Sequence, residues 1–275
     1  MAAFRSLLFV PGSRPDRFEK ACASGADAVC IDLEDAVAPE LKEGARRETF
    51  QFLSAAPARP AVGFRINALT TSDGLRDLIA LLDSKAAPAF LMIPKARGGF
   101  DLEQVAAVLA ARCPALWPLL ETPEALAQLP GIAAAAGPVG GVMFGGADYS
   151  ASIGADMGWD ALYHARASIV AAAATAGCAT MDVPFLDVRD EAGLRAESAR
   201  VRAMGFHGRA CIHPSQVAAI NEIFSPSAEE VSKAERIAAA YREAEGGVAL
   251  LEGKLIEKPV LRAAARVLAA KAKQE

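Results

Sequence analysis

The chain has 275 residues, of which 53% are hydrophobic and 6% aromatic, and its formal net charge is −4. This length suits one large barrel better than two small domains, because barrels of alternating strands and helices run to about 250 residues. The acidic balance excludes a broad basic surface, so we expect no nucleic-acid partner. Prolines and glycines interrupt the longest weakly charged stretch, 126–147, so we expect no membrane-spanning helix.

Eight short apolar runs recur along the chain with helical segments between them. They are 6–10, 28–33, 61–66, 89–93, 115–120, 140–144, 178–183 and 209–212. Their near-continuous hydrophobicity is typical of parallel strands covered on both faces. A doubly wound open sheet would also alternate, but it would have a glycine-rich phosphate turn after the first strand, and residues 11–15 do not match that turn. The sequence therefore predicts an α/β fold, a TIM (β/α)8 barrel over residues 1–225.

Helix-start signals support this pattern. Ser13, followed by Pro15, and Thr122, followed by Pro123, each resemble an N-cap before an early proline.

Residues 226–275 differ in character from the barrel. Ser227 and Glu230 form a capping-box pattern that opens a charged helix, and a basic, alanine-rich helix starts near Pro259. Between the two helices, runs 248–251 and 254–256 flank a Glu-Gly pair, which indicates a hairpin. We expect a C-terminal helix-hairpin-helix extension. Because it can bury little surface alone, we expect it to pack on the barrel mouth or on a neighbouring subunit, and we expect a homo-oligomer.

Three charged residues stand at predicted strand ends. Glu121 closes the fifth run, Asp148 follows the sixth, and Arg65 ends the core of the third. In a parallel barrel the carboxyl ends of all strands open on one face. Carboxylate oxygens are ligands that Mg²⁺ prefers, so the pattern predicts a divalent-metal site at Glu121 and Asp148. The alternative is that both acids only cap the helices that follow them.

Arg65 lies in an apolar setting and needs an anionic partner. That partner is either a structural acid, Asp32 or Glu34, or a ligand carboxylate or carbonyl. Lys95 closes the fourth run on the same rim and could polarise a carbonyl or contact a phosphate. Nearby acids would keep its amine protonated, which disfavours a Schiff-base role.

Positive side chains follow the first predicted strand. Arg14 and Lys20 lie near a helix start, where phosphate binding and a solvated helix face are both plausible. The five cysteines have no metal-type spacing and are expected to be structural thiols. His213 is expected to have a hydrogen-bonded structural role. The apolar run at the N-terminus is too short for a secretory signal, so we expect a cytoplasmic protein.

Six short motifs occur in the order in which a known family carries them. They are Arg5 to Gly12 (RSLLFVPG), Asp32 to Val37 (DLEDAV), Arg65 to Asn67 (RIN), Leu120 to Thr122 (LET), Phe144 to Asp148 (FGGAD) and Ile212 to Pro214 (IHP). With these motifs the chain resembles, over essentially its full length, the citrate lyase beta-subunit-like family of CoA-ester lyases. That family also includes malyl-CoA and citramalyl-CoA lyases.

The resemblance implies roles for several residues. Glu121 and Asp148 would bind Mg²⁺, and Arg65, with Glu121, would hold the oxo or hydroxy acid. Arg65 would also stabilise an enolate, and Arg14 and Lys20 would approach CoA. The implied reaction is a reversible Claisen-type cleavage of a malyl-, citramalyl- or citryl-CoA type thioester to acetyl-CoA or a homologue and an oxo acid. The implied assembly is a homotrimer or a multiple of trimers.

The chain departs from the family pattern at Ala147, where many relatives have Glu although malyl-type members do without it, and at Glu257. Relatives carry an aspartate in the C-terminal hairpin that reaches a neighbouring subunit's site as the acid-base group, and Glu257 stands at that position here. Its extra methylene shifts the carboxylate by about 1 Å. Two alternatives to the lyase therefore stay open: a thioesterase that hydrolyses the same CoA ester, and a non-catalytic subunit or sensor that binds CoA esters without turnover.

Overall fold

A computed structural model describes residues 3–55, 60–243 and 249–272. Eight parallel strands in these residues form a closed barrel in the order of the sequence. The strands are β1 (Ser6–Pro11), β2 (Ala28–Asp32), β3 (Ala61–Arg65), β4 (Phe90–Ile93), β5 (Ala115–Leu120), β6 (Gly141–Phe144), β7 (Ala179–Asp182) and β8 (Gly208–Cys211). β1 closes the barrel by pairing with both β2 and β8. The predicted TIM barrel is confirmed, and each strand lies within two residues of its predicted bounds.

Helices connect the strands and surround them. Those that precede the C-terminal extension are α1 (Phe18–Cys22), α2 (Lys42–Leu53), α3 (Ser72–Asp83), α4 (Gly99–Leu109), α5 (Pro123–Ala127), α6 (Leu129–Ala136), α7 (Gly146–Ile153), α8 (Trp159–Ala176), α9 (Glu191–Met204) and α10 (Val217–Phe224). Short 3-10 turns occur at Pro15–Arg17, Pro39–Leu41, Ala110–Arg112 and Pro214–Gln216. No helix in the described ranges is both long enough and apolar enough to cross a membrane.

One of the two predicted N-caps is confirmed. The Thr122 side chain accepts a hydrogen bond from the Ala125 amide at the start of α5. The Ser13 prediction is wrong, because the first turn begins one residue later, with Arg14 at the cap position and no capping bond from a side chain. Pro15 fixes that start, since its ring is already set for the first helical position.

Alternate residues of the strands fill the inside of the barrel with apolar side chains. This cluster consists of Leu7, Ala28, Cys30, Phe90, Met92, Trp117, Leu119, Met143, Ala179, Met181 and Ala210. Aromatic rings close the end at which the strands begin: Phe4 stacks on Trp117 with 5.6 Å between ring centroids. The interior is therefore a packed core, and the strands open toward solvent only at their carboxyl ends.

A buried ionic network joins β7 and β8 to the helices outside them. The Asp182 carboxylate accepts hydrogen bonds from Arg166 at 3.0 and 3.1 Å and lies 3.8 Å from Arg209. Glu197 accepts from both arginines, at 3.0 and 2.6 Å. Since all of Asp182, Arg166 and Arg209 are almost fully buried, each charge depends on the others.

The chain divides into two compact units, Met1–Asn221 and Glu222–Glu275. The second contains α11 (Ala228–Glu243), an antiparallel hairpin of β9 (Ala249–Leu251) and β10 (Lys254–Ile256), and α12 (Lys258–Ala272). The Ser227 and Glu230 capping box is present, with reciprocal hydrogen bonds of 2.8 and 3.1 Å. The helix-hairpin-helix extension is thus confirmed, whereas its packing on a neighbouring subunit stays a prediction. Val248 of the predicted hairpin lies outside the described residues.

Candidate functional site

A cavity of about 480 Å³ lies at the carboxyl ends of the strands. Arg65, Glu121 and Asp148, which the sequence places at strand ends, all line it. The other lining residues are Phe9, Val10, Pro11, Asp32, Asp35, Ala36, Leu119, Met143, Phe144, Gly145, Ala147, Val183, Pro184 and Ile212. A cavity of this size fits a small ligand or the acyl end of a larger one.

Glu121 follows β5 directly and is almost fully buried, with 1% of its surface exposed. Its Oε1 accepts a hydrogen bond of 2.5 Å from the backbone N–H of Lys95, which follows β4. On its other side Gly145 is so close that a Cβ there would lie 2.5 Å from the Glu121 Cβ and 3.1 Å from Oε2. A backbone donor and a glycine therefore fix the orientation of this carboxyl group.

Asp148 lies in the first turn of α7 and is exposed at the mouth of the cavity. Burial, the charge of Glu34 and the proximity of Asp148 raise the pKa of Glu121 to about 8, although the Lys95 N–H opposes this. A cation bound beside Glu121 would replace the proton that burial and the neighbouring acids favour on this carboxyl group. Thr122, and not Glu121, caps α5, whereas Asp148 lies in the first turn of α7, where an acid also suits the helix start.

Arg65 is the last residue of β3, and acidic side chains bind its guanidinium. Its Nε and Nη2 donate to the two oxygens of Asp32, at 2.7 and 2.6 Å, and Nη1 lies 3.0 Å from Glu34. Burial disfavours the charge on Arg65, but Asp32 and Glu34 outweigh it and raise the pKa of the guanidinium. Two of its five N–H groups thus donate to Asp32, and Glu34 forms an ion pair with Nη1. Both partners that the sequence suggested, Asp32 and Glu34, are therefore present.

The charges around the cavity do not balance. The acids are Asp32, Glu34, Asp35, Glu121 and Asp148, and the bases are Arg65 and Lys95. In the part of the chain that the structure describes, the acids at this site therefore outnumber the bases. No group of three or more His, Cys, Asp or Glu side chains in the described residues is arranged to hold a metal. Glu121 and Asp148, two carboxyl groups at the cavity, offer oxygen ligands of the kind that Mg²⁺ prefers, and oxygens of a ligand or water would have to complete its coordination.

The remaining predicted site residues lie elsewhere. Arg14 and Lys20 are exposed and do not belong to the cavity lining described above. Arg14 forms a 2.7 Å ion pair with Asp16. Glu257 lies in the second unit between β10 and α12, and its carbonyl accepts a hydrogen bond from Leu261 in the first turn of that helix. The roles of these three residues stay predictions.

Supporting residues that the sequence did not reveal surround the cavity. Lys42 of α2 donates hydrogen bonds of 2.6 to 3.0 Å to the Leu33 and Glu34 carbonyls and to the Asn67 side chain, and so ties the loops after β2 and β3 together. Gly145 leaves the space that Glu121 needs. The glycine pair before Asp148 is a sequence signal for the role of Gly145, whereas nothing in the sequence marks Lys42.

The family comparison agrees with this geometry. The model of the family described as HpcH/HpaI aldolase/citrate lyase matches residues 5–214, which include the whole barrel and every residue that lines the cavity. The chain belongs to this family. A second model, described as C-C bond lyase of the TIM-barrel fold, matches residues 163–274. Membership confirms, at the level of the family, the expectation of a carbon-carbon lyase related to citrate lyase.

Individual members of the family are similar along nearly their full length. A (3S)-malyl-CoA thioesterase of Cereibacter sphaeroides is 38% identical, with 97% of this chain and 94% of the relative covered. An L-malyl-CoA/beta-methylmalyl-CoA lyase of Rhodobacter capsulatus is 35% identical, with 94% and 92% covered. The crystal structure of the protein CitE from Mycobacterium tuberculosis in complex with magnesium, acetoacetate and coenzyme A superposes with a TM-score of 0.83, at 34% identity, and covers 98% of this chain and 99% of that one.

Proposed function

We propose that the protein is a Mg²⁺-dependent lyase that cleaves a malyl-, citramalyl- or citryl-CoA type thioester into acetyl-CoA or a homologue and an oxo acid. The observation that carries this proposal is the cavity in which Glu121, Asp148 and Arg65 meet within a site of net negative charge. The relatives named for malyl-CoA lyase activity and the magnesium complex of CitE support it.

Different residues of the cavity would bind the metal and the substrate. Glu121 and Asp148 would hold Mg²⁺, which when bound would supply a positive charge to the oxygens of the hydroxy or oxo acid. Arg65, which Asp32 holds through two of its N–H groups, would bind an oxygen of the same substrate and stabilise the negative charge that develops on the thioester as the carbon-carbon bond breaks. Asp32 keeps the Arg65 side chain in one orientation, so little reorganisation is needed during the reaction.

An apolar wall completes the cavity. Phe9, Leu119 and Met143 line it below the charged groups. Side chains of this kind exclude water from the reacting carbon, which strengthens the electrostatic interactions at the site and protects the carbanion-like carbon until it receives a proton. From the family resemblance, we propose that Glu257 of a neighbouring subunit in a trimer carries out that proton transfer.

Thioester hydrolysis is the second candidate. The 38% identity to a (3S)-malyl-CoA thioesterase favours it, and so does the glutamate at 257, whose longer side chain would place the carboxylate about 1 Å away from the position of the family's aspartate. In this reaction water would attack the acyl carbon, the C–S bond would break, and the hydroxy acid and free CoA would leave.

Product analysis separates the two reactions. Purified protein is incubated with malyl-CoA or citramalyl-CoA and Mg²⁺, and the products are identified by mass spectrometry. The lyase gives acetyl-CoA with glyoxylate or pyruvate, whereas the thioesterase gives free CoA with malate or citramalate. The Glu121→Gln variant, prepared identically, serves as the control for contaminating enzymes. CoA-ester binding without either set of products would contradict both reactions and indicate a non-catalytic subunit.

A further inference from the structure

Lys95 has an unusual backbone conformation. Its φ is 52°, in the left-handed region, and it is one of three non-glycine residues with a positive φ in the described residues. For a residue with a Cβ this conformation is disfavoured by roughly tenfold relative to ordinary conformations. Surrounding contacts must therefore hold it in place.

The Lys95 side chain provides such a contact. Its Nζ donates a hydrogen bond of 2.8 Å to Glu34 Oε1, while the other oxygen of Glu34 lies 3.0 Å from Arg65 Nη1. Glu34 is only 6% exposed. The lysine is thus anchored at its far end to a buried acid that also forms an ion pair with Arg65.

The Lys95 backbone also contacts the proposed metal site. Its N–H donates the 2.5 Å hydrogen bond to Glu121 Oε1 described above. Gly145 lies against the other oxygen, Oε2. The direction of the Lys95 peptide therefore determines which way one of the two proposed metal-binding carboxylates faces.

We propose that Lys95 is a positioning residue for Mg²⁺ binding: its left-handed backbone lets the N–H donate to Glu121 while the ammonium binds Glu34, and the bond to Glu34 holds that backbone. This inference rests on the proposed function, because it needs Mg²⁺ to bind between Glu121 and Asp148. Lys95 acts through Glu121 and does not itself contact the cation.

An electrostatic role alone would make the loss of Lys95 increase the Mg²⁺ affinity. Removal of a positive charge from an acidic site strengthens its attraction for Mg²⁺, so a purely electrostatic role would make every neutral variant of Lys95 bind more tightly. If Lys95 acts by positioning Glu121, the Mg²⁺ affinities of neutral variants should differ according to whether each residue accepts a positive φ. Glycine adopts a positive φ without penalty and keeps its N–H, whereas methionine keeps the length of the side chain but loses the anchor.

The test is Mg²⁺ binding measured by isothermal titration calorimetry, in the presence of a fixed concentration of pyruvate, for wild type, Lys95→Gly and Lys95→Met. Both variants lose the same charge, so a difference between their Mg²⁺ affinities reports the effect of the backbone conformation. We expect Lys95→Met to bind Mg²⁺ about tenfold more weakly than Lys95→Gly. Lys95→Ala, a second neutral variant with a Cβ, is expected to behave like Lys95→Met. Thermal unfolding verifies that each variant is folded.

Ala110 provides a matched control, since its φ is 48° at a site after α4 outside the cavity lining. Ala110→Gly relieves the strain of another positive φ and is expected to leave Mg²⁺ affinity within twofold of wild type. Equal Mg²⁺ affinities for Lys95→Gly and Lys95→Met, with wild type binding normally, would overturn the role of Lys95 alone. Absence of Mg²⁺ binding by wild type would instead overturn the proposed metal site and this inference with it.

Discussion

Replacement of Gly145 by alanine tests how closely the site depends on the orientation of Glu121. The added Cβ would lie 2.5 Å from the Glu121 Cβ, whereas ordinary carbon contacts begin at 3.4 Å, so the two groups must separate by about 0.9 Å. Alanine accepts the backbone of this residue, whose φ is −92°. The whole effect therefore comes from displacement of the neighbouring carboxylate or of the loop after β6.

A displacement of about 1 Å in a reacting constellation reduces rates on the order of 100-fold. We therefore expect Gly145→Ala to lower kcat/KM for the cleaved CoA ester by about 100-fold and to weaken Mg²⁺ binding. Steady-state kinetics with the substrate found by product analysis measures the first effect, and calorimetry the second.

The adjacent glycine is the matched control. A Cβ at Gly146 would meet only the apolar side chains of Phe144, Val183 and Leu162, at 3.1 to 3.3 Å. Small adjustments relieve contacts at these distances, and alanine suits the helix α7 better than glycine does. We expect Gly146→Ala to keep kcat/KM within threefold of wild type. If Gly145→Ala also stays within threefold, Glu121 is not a positioned ligand and the reasoning fails.

Three further predictions concern other parts of the molecule. Burial raises the pKa of Cys211 to about 12, so this thiol stays protonated at pH 9 and should resist iodoacetamide. The half-buried Cys22 and Cys113 should instead react faster as the pH rises from 7 to 9. Peptide mass spectrometry measures the modification of each cysteine, and a faster reaction of Cys211 would contradict this expectation. Asp182→Ala leaves two buried guanidiniums without their central partner and should lower the free energy of unfolding by about 3–5 kcal/mol, measured by urea denaturation; a loss under 1 kcal/mol would refute the network's importance. Glu257→Asp restores the family's aspartate and should raise carbon-carbon cleavage by up to about 100-fold, and an unchanged rate would show that the length of this side chain does not limit cleavage.

The sequence predicts the barrel well because its signals are local. A strand covered on both faces needs a continuous apolar run, and each of the eight runs is a barrel strand. The site follows from the same argument, since strand ends in a parallel barrel meet at one face. Glu121, Asp148 and Arg65 can therefore be grouped from their positions in the sequence alone, and motif order adds the family.

Features that depend on loop geometry could not be predicted in this way. The left-handed backbone of Lys95 results from contacts with Glu34 and Glu121, which are 61 and 26 residues away in sequence. The Ser13 cap was misplaced by one residue because the position of Pro15, rather than the serine, sets the start of the turn. Lys42 binds three acceptors on two loops, and an isolated lysine on a helix gives no sign of such partners.

The central claim is that Glu121 and Asp148 together bind one Mg²⁺ ion. Calorimetric titration of Mg²⁺ into wild type, Glu121→Gln and Asp148→Asn, each with pyruvate present, tests it most directly. Both variants should fold, because they remove charge from a site that carries an excess of it. We predict one Mg²⁺ per chain for wild type and at least 100-fold weaker binding for each variant. Wild-type affinity in either variant would contradict the claim.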